Sequence, residues 1–184
     1  MIAGATRRLA LAGFLSVLLV GSALSVPSAA SAQLPDCSKA TAESVYERSD
    51  LPERIEAAYG SFTEDARELF QVNQHFCADL TGDGSLEMVV MVVCCTVSSP
   101  RPWAIYQAAP DGRMRVAFAA IRVSYVAPLR LRGTGPNAKD VVERRAILRR
   151  RDAGCCPSGG SRYRYIRWNG SAFYTAERKI RRKR

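Results

Sequence analysis

Histidine is almost absent from this chain: His75 is the only one in 184 residues. No C-x-x-C pair occurs either, so a zinc site lacks both of its usual ligand sets. A Ser-His-Asp or Cys-His nucleophile would have to be built on His75, which sits in a stretch that alternates as a strand does. No Gly-rich phosphate loop opens a helix. No internal repeat occurs that would build a full propeller. Beyond the first 32 residues no apolar run reaches the roughly 20 residues that span a bilayer. Acids are scarce in the second half, where residues 100–184 hold five Asp/Glu against 21 Lys/Arg. These absences leave no catalytic constellation and predict a protein that is not an enzyme.

The first 32 residues have the order of an export signal. Arg7 and Arg8 come first, then the apolar run of residues 9–20, then small residues ending in Ala30-Ser31-Ala32. Cleavage is expected after Ala32, which places the product outside the cytoplasm, secreted or envelope-associated. Pro35 and Asp36 stand before Cys37, where a lipid-attachment signal needs small apolar residues. Residues 33–176 then read as one secreted domain, long enough for its own core, and residues 177–184 as a basic, solvated C-terminal tail.

Six cysteines follow the leader: Cys37, Cys77, Cys94, Cys95, Cys155 and Cys156. An even number outside the cell predicts disulfides. Cys37 is expected to tether the start of the domain. Neighbouring strand residues point to opposite faces, so the two vicinal pairs are expected to reach elsewhere, one of Cys94/Cys95 meeting one of Cys155/Cys156. Fifteen pairings remain open for six cysteines.

Periodicity predicts an α+β domain. Asp50 with Glu53 reads as a helix cap, and Leu51, Ile55, Ala58 and Tyr59 form one stripe ended by Gly60. Ser61 and Glu64 repeat the cap before Phe62, Ala66, Leu69 and Phe70. From Val72 the period changes to two. Leu86 to Val97 is an almost unbroken apolar, β-branched run, the pattern of a central strand covered on both faces. Strands are predicted at Trp103–Ala108 and Met114–Val126, joined by the turn Pro110-Asp111-Gly112. Gly133–Asn137 reads as a loop and Val141–Arg151 as a basic edge or half-exposed strand. Asn169-Gly170 is the strongest hairpin signal, between strands at Arg162–Trp168 and Ala172–Ala176. The expected architecture is short N-terminal helices packed on an antiparallel meander sheet of six or seven strands, stapled by disulfides.

The sharpest local motif is Asp79-Leu80-Thr81-Gly82-Asp83-Gly84-Ser85-Leu86-Glu87. Oxygen side chains at alternate positions suit a hard cation such as Ca²⁺. Val90 at the twelfth position excludes an EF-hand. The stretch from Phe76 to Val93 resembles the Ca²⁺ loop of FG-GAP and integrin-like propeller repeats, in which an Asp-rich loop joins two strands of a blade. The resemblance implies Asp79, Thr81, Asp83 and Glu87 as side-chain ligands and Ser85 as a carbonyl donor. Thr81 and Glu87 depart from the usual Asp or Asn, and the loop occurs once. Over residues 70–176 the D-L-T-G-D-G loop, Pro102-Trp103-Ala104-Ile105-Tyr106 and Cys155-Cys156-Pro157-Ser158-Gly159 resemble a group of secreted proteins of high-GC bacteria. That resemblance implies a shared fold and disulfide frame and lends no activity.

Residues 33–99 carry a net charge of −8 and residues 100–184 a net charge of +16. A basic face of that size attracts polyanions. In Arg162-Tyr163-Arg164-Tyr165-Ile166-Arg167-Trp168 cations and rings alternate. Tyr163, Tyr165 and Arg167 share one face of the predicted strand, and Ile166 and Trp168 are expected in the core. Arg162, Arg164, Arg167, Lys179, Arg181 and Arg182 are the candidate polyanion contacts. Export favours an anionic envelope polymer or glycan over nucleic acid as the partner. The leading expectation is a secreted, non-catalytic binding domain, in which the Asp79–Glu87 loop is either one weak calcium site or an ordinary hairpin whose Asp79 and Asp83 cap backbone N–H groups. The alternatives are a hydrolase using the acids of the Asp79–Glu87 loop, or a polyanion-binding protein acting through the basic half.

Overall fold

Two helices open the fold because each can bury one face. In α1 (Lys39–Arg48) Ala42 and Tyr46, four residues apart, are the buried positions. Ser38 caps the helix, its Oγ accepting from the Thr41 amide at 3.2 Å, and the Ser49 hydroxyl closes the other end by donating to the Tyr46 carbonyl at 2.8 Å. α2 (Leu51–Tyr59) buries Leu51, Pro52 and Ile55, and stops at Gly60 with φ +61°. Asp50 does not cap it as the D-x-x-E pattern predicted. Its carboxylate is held by Arg54 instead, at 2.6 and 2.9 Å, because a guanidinium one turn away offers two charge-assisted bonds. A one-turn helix α3 (Ala66–Leu69) leads into the strands.

This computed structural model describes residues 36–60, 66–94, 100–133, 139–153 and 156–182. The predicted export signal, the cap of the second helix at Ser61–Glu64, Cys95, Cys155, most of the Gly133–Asn137 loop and the last two residues lie outside the described residues.

Eight strands form two four-stranded antiparallel meanders among the described residues. The first sheet is β1 (Gln71–Ala78), β2 (Glu87–Val93), β3 (Trp103–Ala108) and β4 (Met114–Ala120). The second is β5 (Arg130–Gly133), β6 (Lys139–Ala146), β7 (Ser161–Trp168) and β8 (Phe173–Arg181). The α+β class is as expected, whereas the single sheet of six or seven strands is corrected to two sheets. The chain leaves the first sheet after Ala120 and restarts at β5, a four-residue strand with every side chain exposed and no apolar stripe to announce it. Pairing of β5 with β6 places the strand predicted as edge or half-exposed inside its sheet, between β5 and β7, where its residues range from buried to exposed.

The first sheet is a middle layer. β2 is buried on both faces, as its unbroken apolar run predicts. Met88, Val90, Val92, Ala104 and Tyr106 pack with the helix residues Tyr46, Leu51 and Ile55. Val89, Met91, Trp103 and Ile105 face the second sheet and pack with Val141, Ile166 and Phe173. Trp168 packs on the edge of this core, with its ring 5.0 Å from Phe173. Polar groups fix how the sheets meet. The Gln74 amide donates to the Leu129 carbonyl at 2.9 Å and accepts from the Leu129 amide at 2.7 Å, which pins the crossing segment at the start of β5. The indole of Trp103 donates to the fully buried Glu143 at 2.6 Å. Cys37 is joined to Cys77 across 40 positions with a Cα–Cα distance of 6.0 Å, so the expected tether of the domain's start lands on β1.

Candidate functional site

Two regions gather the residues that the sequence singled out. The first is the Asp79–Glu87 loop between β1 and β2. Asp79 folds over its own turn, accepting from the Gly82 amide at 2.6 Å and the Gly84 amide at 3.1 Å. Gly82 (φ +82°) and Gly84 (φ +88°) take left-handed backbone that a side chain would strain. Asp83 accepts from the Ser85 amide at 2.8 Å. Glu87 turns inward, only 3 % exposed, and takes the Leu80 amide at 2.7 Å. Among the described residues no group of three Asp, Glu, His or Cys side chains converges as a ligand set. The carboxylates serve the loop's own amides in this geometry.

Burial raises the Glu87 pKa above its ordinary 4.5, and the nearby Asp83 charge adds to the rise, against the Leu80 amide and Gln107. A carboxyl raised in the folded state binds its proton more tightly folded than unfolded. Its contribution is therefore full at pH below 4.5 and is lost as pH climbs from there through the folded value. Glu87→Gln removes this titration and keeps an acceptor for the Leu80 amide. Wild type is expected to lose stability relative to Glu87→Gln between pH 4 and pH 7, read as the difference in Tm. A constant difference across that range would contradict the assignment.

The second region is the outer face of the second sheet, turned away from the core. Register sets its rows. Arg132 lies opposite Asp140, Asp140 is held across the strand pair by Arg167 of β7, and Arg167 lies opposite Tyr174. Arg130, Val142 and Tyr165 form the next row, and Arg144, Tyr163 and Lys179 the one after. The guanidinium of Arg132 stacks over the Tyr165 ring at 5.2 Å, and that of Arg181 over Tyr163 at 5.6 Å. Arg167 grips the buried Asp140 with two bonds of 2.9 Å, and this partner holds its charge more firmly, raising its pKa. Tyr163, Tyr165 and Arg167 share this face as the alternation predicted.

The candidate polyanion contacts separate by face. Arg167, Lys179 and Arg181 lie on the outer face. Arg164 is drawn to the core side, where it meets Glu143 at 3.5 Å and Thr175 at 3.1 Å. Arg162 is exposed opposite Arg145 and Ile180 on that same side, and Arg182 follows the end of β8. Arg130, Arg132 and Arg144 join the outer face unforeseen. The signal was the two-residue spacing of Arg130 and Arg132, legible only once β5 is known to be a strand. His75 lies mid-strand in β1, opposite Val90. The segment carrying Cys156-Pro157-Ser158-Gly159 is tied down by Asp152, which accepts from the Ser158 hydroxyl at 2.6 Å, the Ser158 amide at 2.7 Å and the Arg149 amide at 2.6 Å. These bonds, the Ser158 hydroxyl first, hold the Asp152 pKa below the usual carboxylate range. Gly159 is required there, since a Cβ would stand 2.6 Å from the Ile147 carbonyl oxygen. The chain matches no protein-family profile, no curated protein and no solved structure.

Proposed function

We propose that this chain is a secreted, non-catalytic binding domain whose outer second-sheet face takes an anionic polymer of the cell envelope or an acidic glycan. The observation that carries the reading is the row-by-row placement of Arg130, Arg132, Arg144, Arg167, Lys179 and Arg181 on one face. Between Arg130 and Arg182 the chain holds 15 Lys/Arg against four Asp/Glu, so the surrounding field is strongly positive. The stacked arginines decide between ligand types. Tyr163 and Tyr165 each carry a guanidinium over the ring, which occupies the surface a nucleobase would stack on. The rings thus act as platforms that restrict two arginine forks, and such forks suit carboxylate, sulfate or phosphate oxygens. The Cys37–Cys77 bond fits an oxidising compartment.

Immobilised heparin, a sulfated glycan, tests this directly. Wild type is expected to bind at low salt and elute in a salt gradient. Replacing Arg132, Arg144, Lys179 and Arg181 with Gln should weaken binding by about tenfold or more and flatten the salt dependence by about one unit of slope per lost contact. Wild type running through at low salt would overturn the reading.

The loop supports a second reading, a weak calcium site. Asp79, Asp83 and Glu87 fall within nine residues, and the Asp83 charge bears on Glu87. The loop joins the first two strands of a four-stranded meander, in keeping with the FG-GAP resemblance. Asp79 and Asp83 would exchange amide partners for the ion, with Thr81, Ser85 and Glu87 completing the set, at the weak extracellular affinity of about 10⁻⁴ to 10⁻³ M. Millimolar calcium is expected to raise Tm in wild type and not in Asp83→Ala. No rise in wild type removes the metal.

A further inference from the structure

We propose that the cleft between α1 and the β3–β4 hairpin is a binding site for a small organic acid with an apolar body, of the fatty-acid type. The cleft has a volume of about 1100 Å³, just above the range of roughly 300–1,000 Å³ typical of small-molecule sites. It is separate from the basic sheet face and from the Asp79–Glu87 loop, and stands or falls independently of both.

Its lining divides into two chemistries. Val45 from α1 and Met114 and Val116 from β4 line it and pack against the helix-side core, each only partly covered. They form an apolar floor that the fold leaves accessible. Four arginines also line it: Arg48, Arg54, Arg113 and Arg115. Two are neutralised by acids of their own segment. Arg54 pairs with Asp50 at 2.6 Å and Arg115 with Asp111 at 2.8 Å. Arg48, in the last turn of α1, and Arg113, in the hairpin turn, carry no ion pair among the described residues, and the Asp111 carboxylate, paired with Arg115, feels the Arg113 charge without contacting its guanidinium. An exposed guanidinium is thus supplied from each wall beside an apolar floor. The lining hydroxyls of Thr41 and Ser44 add polar contacts along the helix wall.

This combination selects its ligand by charge and by shape. An apolar body removes the floor from water, worth more with each buried methylene, and an acidic head takes charge-assisted bonds from arginine forks. A neutral alcohol of the same length gains only the first. A small inorganic anion gains only the second.

Titration calorimetry with sodium dodecanoate, kept below its micelle concentration, tests the assignment. Wild type is expected to bind one dodecanoate saturably, and dodecanol about tenfold or more weaker. Arg48→Gln/Arg113→Gln should weaken dodecanoate by about tenfold or more while leaving dodecanol unchanged. Both residues are exposed, so the variant should keep the wild-type circular dichroism spectrum. Val45→Trp fills the floor without touching charge and should weaken both ligands. Absence of saturable heat from wild type, or equal dodecanoate affinity in wild type and the double-arginine variant, overturns the proposal.

Discussion

Replacing Glu143 with Leu is expected to destabilise the domain by about 3–5 kcal/mol, the usual cost of removing one partner from a buried charge cluster. Glu143 is fully buried between the sheets. Its Oε2 takes the Trp103 indole at 2.6 Å, Arg145 engages both carboxylate oxygens, and Arg164 approaches at 3.5 Å. Arg145 and Arg164 are themselves mostly covered, at 22 % and 19 % side-chain exposure. Removing the carboxylate therefore leaves two neighbouring guanidiniums without their shared anion and one indole N–H without its acceptor. For a domain of this size the loss corresponds to a fall in Tm of about 10 °C. Glu143→Gln keeps an acceptor for Trp103 and should lose less. Replacing Glu143, Arg145 and Arg164 together with Met or Leu should recover much of the loss, because the cost arises from the unmatched charge. Urea unfolding of the three variants measures this. A Glu143→Leu protein as stable as wild type would show that the cluster does not join the sheets.

Removal of the Cys37–Cys77 bond as a pair of serines is expected to cost about 4 kcal/mol by loop entropy alone, for a closure of 40 positions. The effect should concentrate in one place. The bond encloses α1, α2 and α3 and ties Cys37, one residue before the α1 cap, to β1. α1 has ten residues and two buried side chains, and isolated helices shorter than about 12–15 residues are marginal in water. Its amides should lose hydrogen-exchange protection well before those of β2 and β3, which are buried on both faces. Unchanged protection in α1 after the substitution would contradict this role. The cleft lined by α1 and β4 should weaken in step, since one of its walls is that helix.

Legibility in the sequence followed burial. β2 and β3 were readable because nearly every side chain is covered, so the apolar run stands out. The β7–β8 hairpin was readable from Asn169-Gly170, whose asparagine accepts from the Ser171 and Ala172 amides to close the turn. α1 was missed because two buried residues in ten do not make a stripe. β5 was missed because it buries nothing, and without it the second sheet could not be separated from the first. β8 runs on to Arg181, past the predicted end at Ala176, because backbone pairing with β7 continues where the apolar pattern ceases. The acid loop was legible as a motif, but the inward turn of Glu87 was not, since nothing local says that its carboxylate caps Leu80. The same holds for the basic face. Alternation within β7 placed Tyr163, Tyr165 and Arg167 together, whereas the arginines stacked on those rings come from β5 and β8, at separations no local pattern reports.

The most direct measurement is an NMR titration of the isotopically labelled protein with a heparin-derived oligosaccharide. Backbone amide and side-chain signals of Arg132, Arg144, Arg167, Lys179 and Arg181 should shift together, with those of Tyr163 and Tyr165, and the shifts should collapse as salt rises. Shifts confined to the Asp79–Glu87 loop or to the helices, or spread evenly over the surface, would contradict a binding face on the second sheet.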